Sequence, residues 1–230
     1  MRMKARRKPP SQRPHRKAAV ARDWFDEVLE DSLRAEYLSA REILSEGRIP
    51  EKLDEAAANA QGWAEDCVGV VGNALGIQPD CLGCNTGWCC HQPVYIAMPE
   101  AVRIALFLRE RLSSEELTVL TERVRAAAKA LEGLTTPEAR LQRHTCPLLM
   151  DGRCSVYEVR PVTCRAYWSL DREKCRRAAE DPSDQTYTVP VYGVRHAGAV
   201  YAGLLQALRE NGYKSHPVFL PTALLRELFK

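Results

Sequence analysis

No apolar stretch follows the positive charges at the N-terminus, so neither a secretory signal nor a twin-arginine export signal can be read there, although Arg6 and Arg7 are adjacent. Long hydrophobic runs are missing too. The longest weakly charged stretch, Val68 to Pro99, is broken by Asp80 and rich in Gly, Asn, Gln and Cys, a composition that a bilayer core does not accept as a spanning helix. Together these absences predict a cytoplasmic protein with no membrane partner. Acidic residues are absent from the first 22 positions, which carry nine Lys and Arg, so the formal net charge of +3 divides into +9 there and −6 over the remainder. Repeats with a period of about 20–50 residues are absent, which excludes a solenoid. There is no Rossmann-type glycine loop for S-adenosylmethionine, no Cys-x3-Cys-x2-Cys radical motif and no arguable Ser/His/Asp grouping.

Cysteine, by contrast, is abundant. A chain of 230 residues, 45% of them hydrophobic, buries roughly 70% or more of its unfolded surface and needs no staples, so its nine cysteines serve another purpose. In a reducing interior a cysteine-dense segment reads as a metal or redox site before a disulfide framework. Helical spacing runs through Phe25, Leu29, Leu33, Tyr37, Ala40 and Leu44, and again through Leu53, Ala57, Ala60, Ala64, Cys67 and Val71. Further helices are expected after Pro99, after the Ser113 cap, from Thr136 to about Arg143, from Gly193 to Glu210 and from Pro221. Asp151-Gly152 between apolar runs predicts a tight hairpin carrying Cys154.

Eight cysteines fall into two groups: Cys81, Cys84, Cys89 and Cys90, then Cys146, Cys154, Cys164 and Cys175. Thiolates are soft ligands, four of which surround Zn or the irons of an Fe–S cluster, and irregular segments free them to converge. Cys89 and Cys90 are neighbours whose side chains diverge, which suits two metals or a cluster better than one tetrahedral ion. Cys67 lies on a helical stripe and reads as a core thiol. Trp88, Tyr157, Tyr167 and Trp168 lie near the ligands in sequence and could exclude water, while Arg153, Arg160, Arg165 and Arg176 could offset thiolate charge; ordinary core aromatics and solvated cations are the competing reading. His91 and His144 adjoin the groups but read as surface histidines before ligands. Ligand identity alone fits zinc and iron equally; context tips the reading towards an Fe–S cluster.

Cys81-x2-Cys84-x4-Cys89-Cys90, followed by Cys146-Pro147, Gly152-Arg-Cys154-Ser-Val-Tyr157 and Arg160-Pro161-Val-Thr-Cys164-Arg165, resembles the YkgJ-type cysteine-cluster family of zinc- or iron-chelating domains. The resemblance covers about residues 81–175 and implies metal binding. One spacing departs from the family, which usually has two residues rather than four between the second Cys and the Cys pair. A looser kinship leads to flagellin lysine methylases that carry an Fe–S centre, but their activity is not carried over.

The expected architecture is mostly α, with two irregular cysteine-bearing loops and a short β-hairpin joined at a metal centre. Its parts are a basic disordered tail (1–17), N-terminal helices (18–79), a cysteine-cluster region (80–178) and a C-terminal helical segment (179–230) packed on the same domain. The expected function is metal binding through eight cysteines, with electron transfer or Fe–S-dependent oxidoreduction. The alternative is a structural zinc module acting as a binding or accessory protein. Residues 2–17 could contact nucleic acid or an acidic protein through phosphate or carboxylate groups, against the plainer reading of a solvated tail.

Overall fold

Apolar residues at every third or fourth position build two long helices at the front of the chain. The structure, a computed structural model, describes residues 14–80, 86–142, 144–181, 183–184 and 191–229. Helix α1 (Pro14–Ser45) buries Phe25, Ala40 and Leu44; α2 (Pro50–Leu75) buries Leu53, Ala57, Ala60, Ala64 and Val71. Gly76, at φ 64°, ends α2 by donating its N–H to the Gly72 carbonyl. Residues 14–17, which the charge pattern assigned to the tail, are helical here. Proline is tolerated in a first turn, where N–H groups have no helical acceptor. Residues 1–13, Cys81, Cys84 and the Cys67 side chain lie outside the described residues.

The remaining helices are α3 (Met98–Arg111), α4 (Ser114–Ala130), α5 (Thr136–Leu141), α6 (Val162–Ala166), α7 (Arg172–Glu180), α8 (Val191–Glu210) and α9 (Leu220–Leu228), so the chain is mostly helical, as expected. Ser113 and Thr135 cap α4 and α5 through reciprocal bonds with Glu116 and Glu138. Two small antiparallel sheets accompany them. Strand β1 (Tyr95–Ile96) pairs with β4 (Val218–Phe219), and β2 (Leu149–Met150) pairs with β3 (Arg153–Cys154). The second pair is the expected hairpin, with positive φ at Asp151 (48°) and Gly152 (74°), as a tight turn requires.

The irregular segments expected for most of the cysteines need correction at two positions of the second group: Cys164 sits on α6 and Cys175 on α7. Periodicity could not reveal either helix, because α6 has five residues and α7 buries only Ala178 and Ala179.

Helices α1 and α8 run parallel, since Asp26 pairs with Arg195 (2.7 Å), Ser32 with His196 (2.9 Å) and Tyr37 with Glu210 (2.7 Å). A Cβ on Gly203 would stand 2.5 Å from the Leu33 carbonyl oxygen, so this approach requires glycine. Helix α2 completes that bundle, and its core extends to Val102 of α3 and to Val162 and Ala166 of α6. A second core joins α3, α4 and α9 around Ile104, Leu108, Val124 and Leu224. Leu148, Val156 and Val159, which flank the hairpin, belong to it, and Cys146 and Cys154 pack against it. The second cysteine group therefore has an apolar anchor of its own.

Glu36, fully buried on α1, accepts a hydrogen bond from Asn59 (2.6 Å), while its other oxygen has no partner among the described residues. Burial pushes its pKa from 4.5 up to about 8, with the Asn59 bond opposing the rise. The folded state thus holds this proton where the unfolded chain has released it, so stability should fall as pH rises from about 4.5 through about 8. At about 1.4 kcal/mol per pKa unit the loss is bounded near ~5 kcal/mol. Urea denaturation at pH 5 and pH 9 should show a loss of a few kcal/mol in the wild type and a clearly smaller one in Glu36→Gln; equal losses would refute the assignment.

Candidate metal centre

A glycine in the left-handed region starts the described part of the first cysteine loop. Gly87 (φ 64°) precedes a single 3₁₀ turn, Trp88–His91, in which Cys90 donates its N–H to the Gly87 carbonyl (2.9 Å). The Cys90 carbonyl in turn accepts from the Cys146 N–H (2.8 Å), which clasps the two cysteine groups together through the backbone. Cys146 leads into the hairpin, where Leu149 stands opposite Cys154, and the Ser155 N–H and hydroxyl both donate to the Leu148 carbonyl at 2.9 Å.

Cys164 is placed by α6, whose first N–H, that of Val162, donates to the Glu100 carboxylate (2.8 Å). Arg165, next in sequence, donates to the carbonyls of Arg160 (3.0 Å) and Glu158 (2.7 Å) and pairs with Glu65 of α2. Cys175 lies on α7, which is capped by Asp171 and packs against the 3₁₀ turn. Asp80 is fixed beside the start of α7, accepting from the Arg172 N–H and guanidinium at 2.8 Å each.

Cys89, Cys90, Cys146, Cys154, Cys164 and Cys175 are all reduced, and all line one cavity of about 750 Å³. Among the described residues no three Cys, His, Asp or Glu side chains form a closed metal-ligating group. The thiols converge on a space instead. Their electrostatics show how near they are: ionised Cys90 would meet the charges of Cys89, Cys146 and Cys154, and Cys164 would meet those of Cys146, Cys89 and Cys154.

The Cys90 thiol, by hydrogen bonding to Cys89, holds the Cys89 thiol down at about 7, assisted by the Arg160 charge. The same bond drives Cys90 far up. Burial raises Cys146 to about 12 and also raises Cys154 and Cys164. Five sulfurs so close cannot all ionise unaided, and a cation among them would convert that repulsion into attraction. The donor set, soft thiols in a lining without any carboxylate among the described residues, fits zinc or iron.

Trp88, Tyr157 and Tyr167 line the cavity, as expected, whereas Trp168 is buried against Gly193. Of the four arginines expected to offset thiolate charge, Arg153 and Arg160 line the cavity, and it is the Arg160 charge that reaches Cys89 and Cys154. Arg165 is turned to Glu65, and Arg176 pairs with Glu173 and Glu180 on its own helix. His91 and His144 are not brought into the lining; His91 bonds Thr145 (3.2 Å). Two residues escaped sequence reasoning altogether. Glu100 is fully buried, and Tyr201, which lines the cavity, donates to it at 2.7 Å. A glutamate in the first turn of a helix gave no signal beyond helix capping.

Residues 80–183 match the family model CxxCxxCC, described as "Putative zinc- or iron-chelating domain". No curated protein and no solved structure matched the chain.

Gly87 offers a test of this geometry that spares every thiol. A Cβ there would meet Leu149 Cδ1 at 2.5 Å and the Gly152 carbonyl oxygen at 3.0 Å, in addition to the left-handed φ. Gly87→Ala should cost about 1–3 kcal/mol of stability and lower the metal bound per chain by moving Cys89 and Cys90 off the hairpin. Wild-type melting and metal content in this variant would contradict the placement of the turn.

Proposed function

We propose, from the premise that residues 80–183 belong to the YkgJ-type cysteine-cluster family, that the chain holds an iron–sulfur cluster and transfers electrons in a reducing compartment. Zinc- or iron-chelating metal binding follows from the family itself; the choice of cluster is the step taken here. One observation carries it: six thiols share a single cavity, more than the four that a structural zinc ion takes. A cluster, when bound, supplies reversible one-electron chemistry.

The chain's own residues do the rest. Cys89, Cys90, Cys146, Cys154, Cys164 and Cys175, with Cys81 and Cys84 a few positions earlier in sequence, form the pool from which ligands are drawn. Trp88, Tyr157 and Tyr167 exclude water from their side of the cavity. Arg160, whose charge reaches Cys89 and Cys154, offsets thiolate charge there. Residues 2–17, whose charge is wholly basic, are proposed as a separate docking element for nucleic acid or an acidic protein. Structural zinc is the second reading, favoured by the rigid seating of Cys146 and Cys154 on the apolar core.

Anaerobic purification of the full chain, followed by iron, zinc and acid-labile sulfide analysis, separates the two. Iron and sulfide with a reversible redox wave are expected; zinc without sulfide establishes the second reading. Cys90→Ala, Cys146→Ala, Cys154→Ala and Cys164→Ala should each lower metal content, whereas Cys67→Ala should keep it. Equal loss in all five would mean that the thiols are sorted wrongly.

A further inference from the structure

The cavity holds more than sulfur. At about 750 Å³ it lies within the roughly 300–1,000 Å³ of small-molecule sites, and the thiols account for only part of its wall. Val194, Ala197, Gly198 and Tyr201 recur at helical spacing, so one stripe of α8 forms another part. Gly198 leaves this wall open, since a Cβ there would meet nothing within 4 Å. Among the described residues the lining also includes Arg140, Arg153, Arg160 and Arg172, the neutral polar Gln92, Thr163 and Ser169, and not one Asp or Glu.

These arginines are not alike. Arg160 is committed to Glu65 and to the Tyr157 ring, and its charge acts on Cys89 and Cys154. Arg172 is held by Asp80. Arg140 of α5 and Arg153 of β3 are exposed and have neither hydrogen bond nor ion pair among the described residues. Two uncommitted guanidinium groups in the lining of a cavity that also has an apolar wall match an anionic group on an apolar body. Guanidinium recognises the oxygens of carboxylate and phosphate alike, through paired N–H donors.

We propose that the cavity binds a small organic anion, a carboxylate or phosphate with an apolar body, its anionic oxygens held by Arg140 and Arg153 and its body against the α8 stripe, next to the metal centre. The inference rests on the reading of the thiol wall as that centre. It makes the cavity a substrate or effector site for the bound metal rather than a metal-binding space alone.

Calorimetric titration of the anaerobically purified full chain with phenyl phosphate, benzoate and the neutral benzamide tests it, with metal content measured on each sample. At least one of the two anions should saturate, at least tenfold more tightly than benzamide, and which one does so identifies the oxygen group. The double variant Arg140→Ala/Arg153→Ala should weaken that anion at least tenfold at unchanged metal content. Gly198→Leu, whose Cβ enters open space, should weaken it as well, whereas Arg176→Ala, paired with Glu173 and Glu180 outside the lining, should not. Absence of saturable anion binding, or wild-type affinity in the double variant, overturns the proposal. Metal loss in the double variant also overturns it, by returning the arginines to the metal centre. Arginine-dependent anion binding by a chain that carries no metal would sustain the anion site while refuting the metal reading.

Discussion

Glu100 is the point at which the two halves of the fold are fastened. Its carboxylate lies at zero solvent exposure and accepts from three donors on three elements: the Ala97 N–H ahead of α3 (2.9 Å), the Val162 N–H opening α6 (2.8 Å) and the Tyr201 hydroxyl of α8 (2.7 Å). Burial raises its pKa despite these donors and the Arg165 charge, so the site has a desolvation cost that only a complete set of partners offsets. Remove the carboxylate and three buried donors lose their acceptor at once. Because Val162 lies two residues before Cys164, this same carboxylate sets where the α6 thiol enters the cavity. A residue that touches no ligand thus fixes the position of one.

A second carboxylate does comparable work from the bundle side. Glu65 of α2 pairs with both Arg160 and Arg165, and Gln61 one turn earlier donates to the Val159 carbonyl (3.3 Å) while accepting from Arg103 (3.0 Å). The segment between the hairpin and α6 is therefore tied to α2 by polar contacts along its length. Apolar packing acts on its two flanks, with Val156 and Val159 in one core and Val162 and Ala166 in the other. The cysteine-bearing segment bridges two hydrophobic cores, so its conformation is set largely by burial. Sulfur chemistry is added to a frame that the cores and the two glutamates already define.

How far this could be read beforehand depended on the range of the interactions involved. The stripes of α1 and α2, the Ser113 cap and the Asp151-Gly152 turn are local patterns, and each is found where its spacing put it. Pairing of β1 with β4 is not local: each strand has two residues, and they meet across more than half the chain. Helix α7 carries an Arg176–Glu180 pair and almost no apolar stripe, so it was hidden from periodicity. At the site, the identity of the thiols was plain from composition, whereas the direction of nearby charges was not. Arg165 and Arg176 neighbour cysteines in sequence yet face carboxylates, and Tyr201 joins the cavity from a helix assigned only to the core.

The acids around the cavity explain its chemistry best when taken together. Glu65 faces Arg160 and Arg165, Glu100 faces its three donors, Glu158 faces Arg111 at 2.9 Å, and Asp80 faces the start of α7. Each is engaged by hydrogen-bond donors or an arginine, and none of these acids appears in the lining. Among the described residues, negative charge inside the cavity can then come from ionised sulfur or from a guest. Sulfur left to itself ionises sparingly, because its bond to Cys89 holds Cys90 protonated and burial with mutual repulsion does the same for Cys146, Cys154 and Cys164, with Cys89 the exception at about 7. A soft cation is what allows the remaining thiols to become thiolates, and the sulfurs displace their protons as it binds. Arg160, whose charge reaches Cys89 and Cys154, would then offset the negative charge that a thiolate-rich centre retains. The separation of acids from the described lining leaves thiols and arginines in a gap beside two hydrophobic cores, a donor set suited to a soft cation.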